Sequence, residues 1–186
     1  MHLVGKAGLA VVLLAALTAA QEISGNPGPP GTKAPSVSMF PSPVVTVTRG
    51  KPNTVKLRFR VSPGFHVNSN KPKSEFLIPT ALKLNALTDI VVGRVTYPPG
   101  REMSFAFSPE EKLSVYTGEF PLALEVRPLA GVVPARYRIH GELKYQACDN
   151  AACYPPRKLP VEFEIQVVKG SPPHRRNPGQ SPHVHT

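Results

Sequence analysis

Four stretches of this chain alternate apolar and polar residues with a period of two, and this pattern constrains the fold more than any other feature. In the clearest of them, 54–61, four apolar residues fall on one side of an extended chain and three basic residues on the other. The same period returns at 120–126, 137–145 and 161–167. Successive side chains of a β-strand point to opposite faces, so the pattern predicts strands with one face buried.

Weaker strand candidates extend the pattern, and one segment has a helical signal. The weaker candidates lie at 44–48, 82–84, 90–96 and 104–107. One helical signal stands out at 108–111, where Ser108 fits a helix N-cap, Pro109 the first helical position and Glu111 the acidic third position of a capping box. It predicts one or two helical turns. Many short strands with at most one short helix, punctuated by 23 prolines, indicate an all-β fold, an antiparallel β-sandwich.

The N-terminal segment has the features of a secretory signal peptide. Lys6 precedes an apolar run over 7–20 that ends in small residues and is followed by polar ones. The run is shorter than the roughly 20 residues that cross a bilayer, so a cleaved signal peptide over 1–20 is favoured over an uncleaved anchor. We therefore expect a periplasmic or otherwise exported protein, soluble after cleavage, in a compartment where cysteines pair.

Proline and glycine set the expected domain limits. Segment 26–35 is too rich in both residues to pack, and 171–186 has the same character. We assign 21–43 to a Pro/Gly-rich linker, 44–168 to one β-sandwich domain and 169–186 to a disordered tail.

Charge and motifs narrow the function classes. The net charge of +10 is spread along strands and loops rather than gathered in a basic stripe, which disfavours nucleic-acid binding. The sequence contains no glycine-rich phosphate loop and no hydrolase nucleophile elbow. His174, His183 and His185 lie in the expected tail, where no rigid element would fix a metal geometry. We therefore expect neither a metal site nor a nucleotide site.

The two cysteines of the chain, Cys148 and Cys153, lie five positions apart between two predicted strands. A disulfide that closes so small a loop removes little entropy from the unfolded chain, so stabilisation alone explains it poorly. Asp149 favours a turn between the cysteines, and Pro155 and Pro156 keep the residues after it out of regular strand pairing. Two hypotheses stay open at this point: a redox-active pair at an exposed turn, and an inert structural bridge.

Several motifs along the chain recur together in a known family. Tyr145-Gln-Ala-Cys148 and Cys153-Tyr-Pro-Pro156 resemble the active-site segment of the N-terminal periplasmic domain of the thiol:disulfide interchange protein DsbD. Segments 64–68, 97–100 and 112–116 fall in the order and roughly the spacing of other segments of that domain. The resemblance extends over about 44–168.

The resemblance implies both a fold and a function. It implies an immunoglobulin-like sandwich that relays reducing equivalents, as a protein-disulfide reductase would and without a cofactor, from a membrane thiol reductase to oxidised exported proteins. It implies that Cys153 forms the mixed disulfides with partners and that Cys148 resolves them. It also implies a cap loop over the pair within 104–112, with Phe107 as the expected cap and Phe105 as the alternative.

Three features depart from the family pattern. The insert between the cysteines is four residues and one shorter than in the best-known members. Glu110 and Glu111 follow the phenylalanines of the cap region rather than precede them, which leaves the proton acceptor unassigned. No membrane-spanning segment follows the domain in this sequence, so we expect the protein either to act with separate partners or to have a narrower role. The competing hypothesis is a non-catalytic immunoglobulin-like binding or structural module with an inert hairpin disulfide.

Four further residues flank the expected site. The resemblance places Phe65 and His66 beside the cysteines, and His66 is a candidate for assisting thiolate formation; the alternative is a surface histidine at a strand end. Tyr145 and Tyr154 are candidates for packing against the disulfide, and the alternative for both is an ordinary half-buried tyrosine of a sheet.

Overall fold

The computed structural model describes residues 37–85 and 87–170 of the 186-residue chain. These residues form twelve strands and no helix. The strands are β1 Val37–Met39, β2 Val45–Thr48, β3 Asn53–Val61, β4 His66–Asn68, β5 Ala81–Leu84, β6 Ile90–Thr96, β7 Arg101–Phe105, β8 Ser108–Tyr116, β9 Glu119–Pro128, β10 Arg136–Tyr145, β11 Ala147–Cys148 and β12 Arg157–Val168.

Two four-stranded sheets form the body of the domain. Their strand orders are β1-β3-β9-β6 and β2-β12-β10-β5. The inward faces of both sheets contribute to one hydrophobic core, in which Leu57 and Leu122 of the first sheet are buried together with Ile139 and Phe163 of the second. Neighbouring strands are antiparallel, except that β2 runs parallel to β12. The structure confirms the all-β sandwich.

A third four-stranded sheet, with the order β11-β4-β8-β7, carries the cysteine region. The ladder between β10 and β12 ends at the pair Tyr145 and Arg157. Beyond it the chain leaves this hairpin, and β11 pairs with β4 instead. Val67 and Ala147 of the third sheet are buried in the main core, so the cysteine region is anchored to the body of the sandwich.

The alternating segments form strands as expected. The four strong candidates lie within β3, β9, β10 and β12, and the candidate at 90–96 coincides with β6. The candidate at 104–107 is shifted, because β7 ends at Phe105 and the next two residues form the turn to β8. The inward rows consist of buried aliphatic and aromatic side chains, and removing these side chains from water stabilises the sandwich.

The helix predicted at 108–111 is wrong. Ser108 begins β8, and it pairs with Phe105 across a two-residue turn. The Ser108 hydroxyl donates to the carbonyl oxygen of Glu111 (3.1 Å) instead of accepting a backbone N–H as an N-cap does. Pairing with β7 outweighs the local helix signal, because propensity is a weak term that tertiary contacts override.

Strand β1 lies inside the range 21–43 that the sequence analysis assigned to the linker. Val37 pairs with Val61 of β3, and its side chain is buried in the main core. Its backbone N–H donates to the Tyr145 hydroxyl (3.4 Å). Three residues are too few to show a period, so only their pairing across the sheet identifies them as a strand.

Several predictions concern segments beyond the described ranges. The signal peptide at 1–20, most of the linker, the tail from residue 171 and the three tail histidines are outside the residues that the structure describes. Between residues 37 and 170, apart from residue 86, the structure has no helix that could span a membrane.

Candidate functional site

The structure joins Cys148 and Cys153 in a disulfide, with their Cα atoms 3.9 Å apart. The two sulfurs differ in environment. Cys148 lies in β11 and is fully buried, whereas Cys153 is only half-buried and forms an isolated bridge with Cys148 beyond the end of β11. Pro155 and Pro156 are exposed and belong to no strand. Access to the bridge is therefore through Cys153.

Asp149 holds the turn between the cysteines. Its Oδ1 accepts the backbone N–H groups of Ala151 (2.7 Å) and Ala152 (2.9 Å), and its own N–H donates to the carbonyl of Ala152 (2.9 Å). The Tyr154 hydroxyl donates to Oδ2 of the same carboxylate (2.7 Å). The turn that the sequence predicted from Asp149 is thus fixed by four hydrogen bonds.

The same hydrogen bonds fix the charge of this turn. The Tyr154 hydroxyl, followed by the two backbone N–H groups, lowers the pKa of Asp149, because hydrogen bonds to a carboxylate favour its ionised form. In return, the bond to Asp149 raises the pKa of Tyr154. Asp149 therefore carries a negative charge at neutral pH, one residue after Cys148.

His66 lies directly opposite Cys148 in the ladder between β4 and β11. Opposed residues of an antiparallel pair project from the same face, with Cβ atoms about 4.5 to 5.5 Å apart. The His66 side chain is only 3% exposed, and its Nε2 is buried without a hydrogen-bond partner. Burial lowers the pKa of His66 from 6.5 to about 4, and the charge of Asp149 opposes this shift only in part. The ring is therefore uncharged at neutral pH.

Phe105 and Phe107, the two candidate cap residues, stack on His66. The Phe105 ring lies 3.9 Å from the imidazole between centroids, and the Phe107 ring lies 6.4 Å away and 5.5 Å from Phe105. Phe105 is buried and Phe107 half-buried. The ladder between β7 and β8 shifts register after Met103, and such irregularities bend a strand. The turn between these strands thus brings both rings to the histidine opposite Cys148.

The remaining candidates divide between the site and the core. Phe65 packs edge to face on Tyr154, with ring centroids 5.9 Å apart. The backbone N–H of Tyr154 also donates to the carbonyl oxygen of Ala147 (2.8 Å). Tyr145 is buried in the main core. The structure therefore places Phe65 and Tyr154 at the cysteine turn. Tyr145 is the last residue of β10 and is separated from β11 by Gln146.

A polar network that the sequence analysis did not single out holds β4 beside β11. The Asn68 side-chain amide donates to Gln146 Oε1 (3.1 Å) and to the carbonyl of Ile78 (3.1 Å). Gln146 Oε1 also accepts the N–H of Ile78 (3.1 Å), and the Thr80 hydroxyl donates to the Asn68 carbonyl (2.6 Å). Asn68 is the last residue of the motif at 64–68, and Gln146 directly precedes β11. These positions in two of the family motifs are the only feature of the sequence that could have indicated the network.

The described residues contain no group of three or more histidine, cysteine, aspartate or glutamate side chains that could hold a metal ion. The chemistry that the arrangement offers is that of its disulfide. One sulfur is accessible, the other is buried, and the buried one lies opposite an uncharged histidine.

Comparisons with known proteins give one matching family model and similar solved structures. The family model described as thiol:disulfide interchange protein DsbD, N-terminal, matches residues 38–164. Among solved structures, the DsbD N-terminal domain of Neisseria meningitidis in its reduced form is similar at 25% identity, covering 60% of this chain and 74% of that one, with a TM-score of 0.37. AggA, the major subunit of aggregative adherence fimbriae type I of Escherichia coli, is similar at 9% identity, covering 72% and 94%, with a TM-score of 0.30.

No curated protein matches the chain. The family match spans more than half of the sequence and includes both cysteines, the motif that carries His66 and the two candidate cap residues. The all-β sandwich described above is the immunoglobulin-like fold expected of that family. The chain therefore belongs to the family of N-terminal domains of the thiol:disulfide interchange protein DsbD.

Proposed function

We propose that this protein is an exported interchange domain that relays reducing equivalents between proteins through Cys148 and Cys153. The observation that carries the proposal is the asymmetry of the bridge, in which Cys153 is partly open to solvent and Cys148 is buried. Thiol–disulfide exchange needs one sulfur that an incoming thiolate can reach in line with the bond it breaks. Burial of the second sulfur does not prevent exchange, because that sulfur is the leaving group.

In the first half of the cycle the domain is reduced. A thiolate of the donor attacks Cys153 Sγ, the bond to Cys148 breaks, and Cys148 leaves with the electron pair and gains a proton. A second donor cysteine then attacks the intermolecular disulfide, which oxidises the donor and leaves both cysteines of this domain as thiols. We take the donor to be a membrane thiol reductase and the compartment to be the periplasm.

In the second half the domain reduces an acceptor. The Cys153 thiolate attacks a disulfide of an oxidised exported protein and forms a mixed disulfide. Cys148 then attacks Cys153 Sγ, re-forms the internal bridge and releases the acceptor as a dithiol. Two electrons pass through the pair in each cycle, and no cofactor takes part.

The aromatic side chains have a protective role in this proposal. Phe105 ends β7 and Phe107 lies in the turn that follows, where it is only half-buried, so movement of this turn would change access to the cysteine region. Phe65 supports Tyr154, which in turn holds the turn between the cysteines. A docking partner would displace the cap before exchange begins.

Trapping in the exported compartment tests the proposal. In a Cys148→Ala variant nothing can resolve a mixed disulfide, so adducts through Cys153 should accumulate and appear on non-reducing gels. Cys153→Ala is the matched control and should give none, because its remaining cysteine is buried. If neither variant forms adducts, the domain is instead a binding or structural module whose bridge pins the turn.

A further inference from the structure

His66 is the one histidine of the described residues whose imidazole is buried with an unpartnered nitrogen. The other, His140, is exposed and its Nδ1 lies 3.2 Å from a Glu162 carboxylate oxygen. Buried polar atoms in proteins nearly always have a hydrogen-bond partner, so each exception needs a reason. Nε2 has no partner among the described residues while Cys148 and Cys153 are joined, and opening of the bridge would offer one.

The ladder identifies that partner. Cys148 is directly opposite His66, and both side chains lie on one face of the sheet. In the disulfide the Cys148 sulfur is bonded to Cys153 and has no hydrogen to donate. Once the bridge opens, the same sulfur becomes a thiol that can donate or a thiolate that can accept.

We propose that His66 Nε2 exchanges the proton of Cys148 during thiol–disulfide exchange, which makes His66 a residue of the resolving step. This inference rests on the proposed function. When the Cys148 thiol attacks the mixed disulfide at Cys153, its proton passes to Nε2, the bond between Cys148 and Cys153 forms, and the partner leaves as a thiolate. The imidazolium then returns its proton to solvent. In the opposite direction Nε2 first takes a proton from solvent and passes it to Cys148 as that sulfur leaves with the electron pair.

The surroundings of Cys148 explain why a local proton acceptor is needed. Cys148 is fully buried, and a free thiolate away from water is costly. His66 is uncharged at neutral pH because burial holds its pKa at about 4, so it is free to accept a proton. Asp149 is the charged group whose field reaches His66, and its carboxylate favours the imidazolium that forms transiently. Phe105 and Phe107 cover the imidazole.

The resolving step can be observed alone with 5,5′-dithiobis(2-nitrobenzoate). The reduced protein should release two thionitrobenzoate anions, the first when Cys153 attacks the reagent and the second when Cys148 attacks the resulting mixed disulfide. The second release is intramolecular, so its rate does not depend on reagent concentration. In His66→Phe the first release should be unchanged, and the second should slow by about 100-fold at pH 7, the lower end of general-base contributions.

Two control variants separate proton transfer from packing. Leu113→Ala keeps the imidazole and both phenylalanines but loosens the small apolar cluster in which Phe105 is buried, and it should leave the second release within a few-fold of the wild-type rate. His140→Gln changes the exposed histidine and should affect neither release. An unchanged second release in His66→Phe would overturn the inference, and so would an equal slowing in Leu113→Ala.

The pH profile of the wild-type protein gives a test that needs no variant. An attack assisted by neutral His66 should keep a nearly constant rate from pH 7 to about pH 5, because the imidazole stays unprotonated down to its pKa of about 4. An unassisted attack depends on the thiolate population and would fall about tenfold per pH unit, which would refute the role of His66. Absence of even the first release would instead refute exchange at Cys153, and with it the proposed function.

Discussion

The burial of His66 predicts that the oxidised protein loses stability in mild acid. The unfolded chain binds a proton at His66 near pH 6.5, whereas the folded protein binds it only near pH 4. Between these values unfolding takes up a proton, so the free energy of unfolding falls as the pH falls. The pKa is lowered from 6.5 to about 4, and at about 1.4 kcal/mol per pKa unit this amounts to about 3 kcal/mol between pH 7 and pH 4.

The variant His66→Phe isolates this contribution. Phenylalanine keeps an aromatic ring against Phe105 and has no basic nitrogen that could bind a proton. Urea titrations at several pH values give the free energy of unfolding of each protein. The wild-type value should fall relative to the variant by about 3 kcal/mol from pH 7 to pH 4. A difference that does not change with pH would refute the conclusion that His66 is buried in its neutral form.

Two further predictions concern the groups around the bridge. In Tyr154→Phe the pKa of Asp149 should rise towards its ordinary value, because the lost hydroxyl makes the largest contribution to lowering it; NMR titration of the carboxyl group measures this, and Tyr137→Phe, whose hydroxyl bonds elsewhere, should leave it unchanged. In Phe105→Ala the pKa of His66 should rise from about 4 towards 6.5 as water reaches the ring, and an unchanged imidazole titration would show that the stack does not exclude water.

Much of the sandwich could be predicted from the sequence because its strands have one face buried. The period of two at 54–61 and 161–167 follows directly from that burial, and both segments form strands. The disulfide was anticipated from two cysteines around a favourable turn, and Asp149 holds that turn as its residue type suggests. These features are local, so the sequence alone specifies them.

Features that depend on distant pairing were missed. Segment 108–111 contains the residue types of a helix capping box, but its pairing with β7 makes it a strand. Strand β1 is recognisable only by its partner β3. Likewise, the family resemblance placed His66 beside the cysteines, but nothing in the sequence indicated its burial, to which two phenylalanines about 40 residues further along the chain contribute. A local sequence pattern does not indicate which distant segments pair as strands or pack against each other.

The most direct test of the central claim, that the bridge exchanges through Cys153, is its reduction potential in the purified protein. The bridge is equilibrated with glutathione buffers of known potential, free thiols are alkylated, and the oxidised fraction is measured by mass spectrometry. An exchangeable bridge with one accessible sulfur should have a potential above about −300 mV. A potential below about −300 mV, typical of inert structural disulfides, would contradict the account.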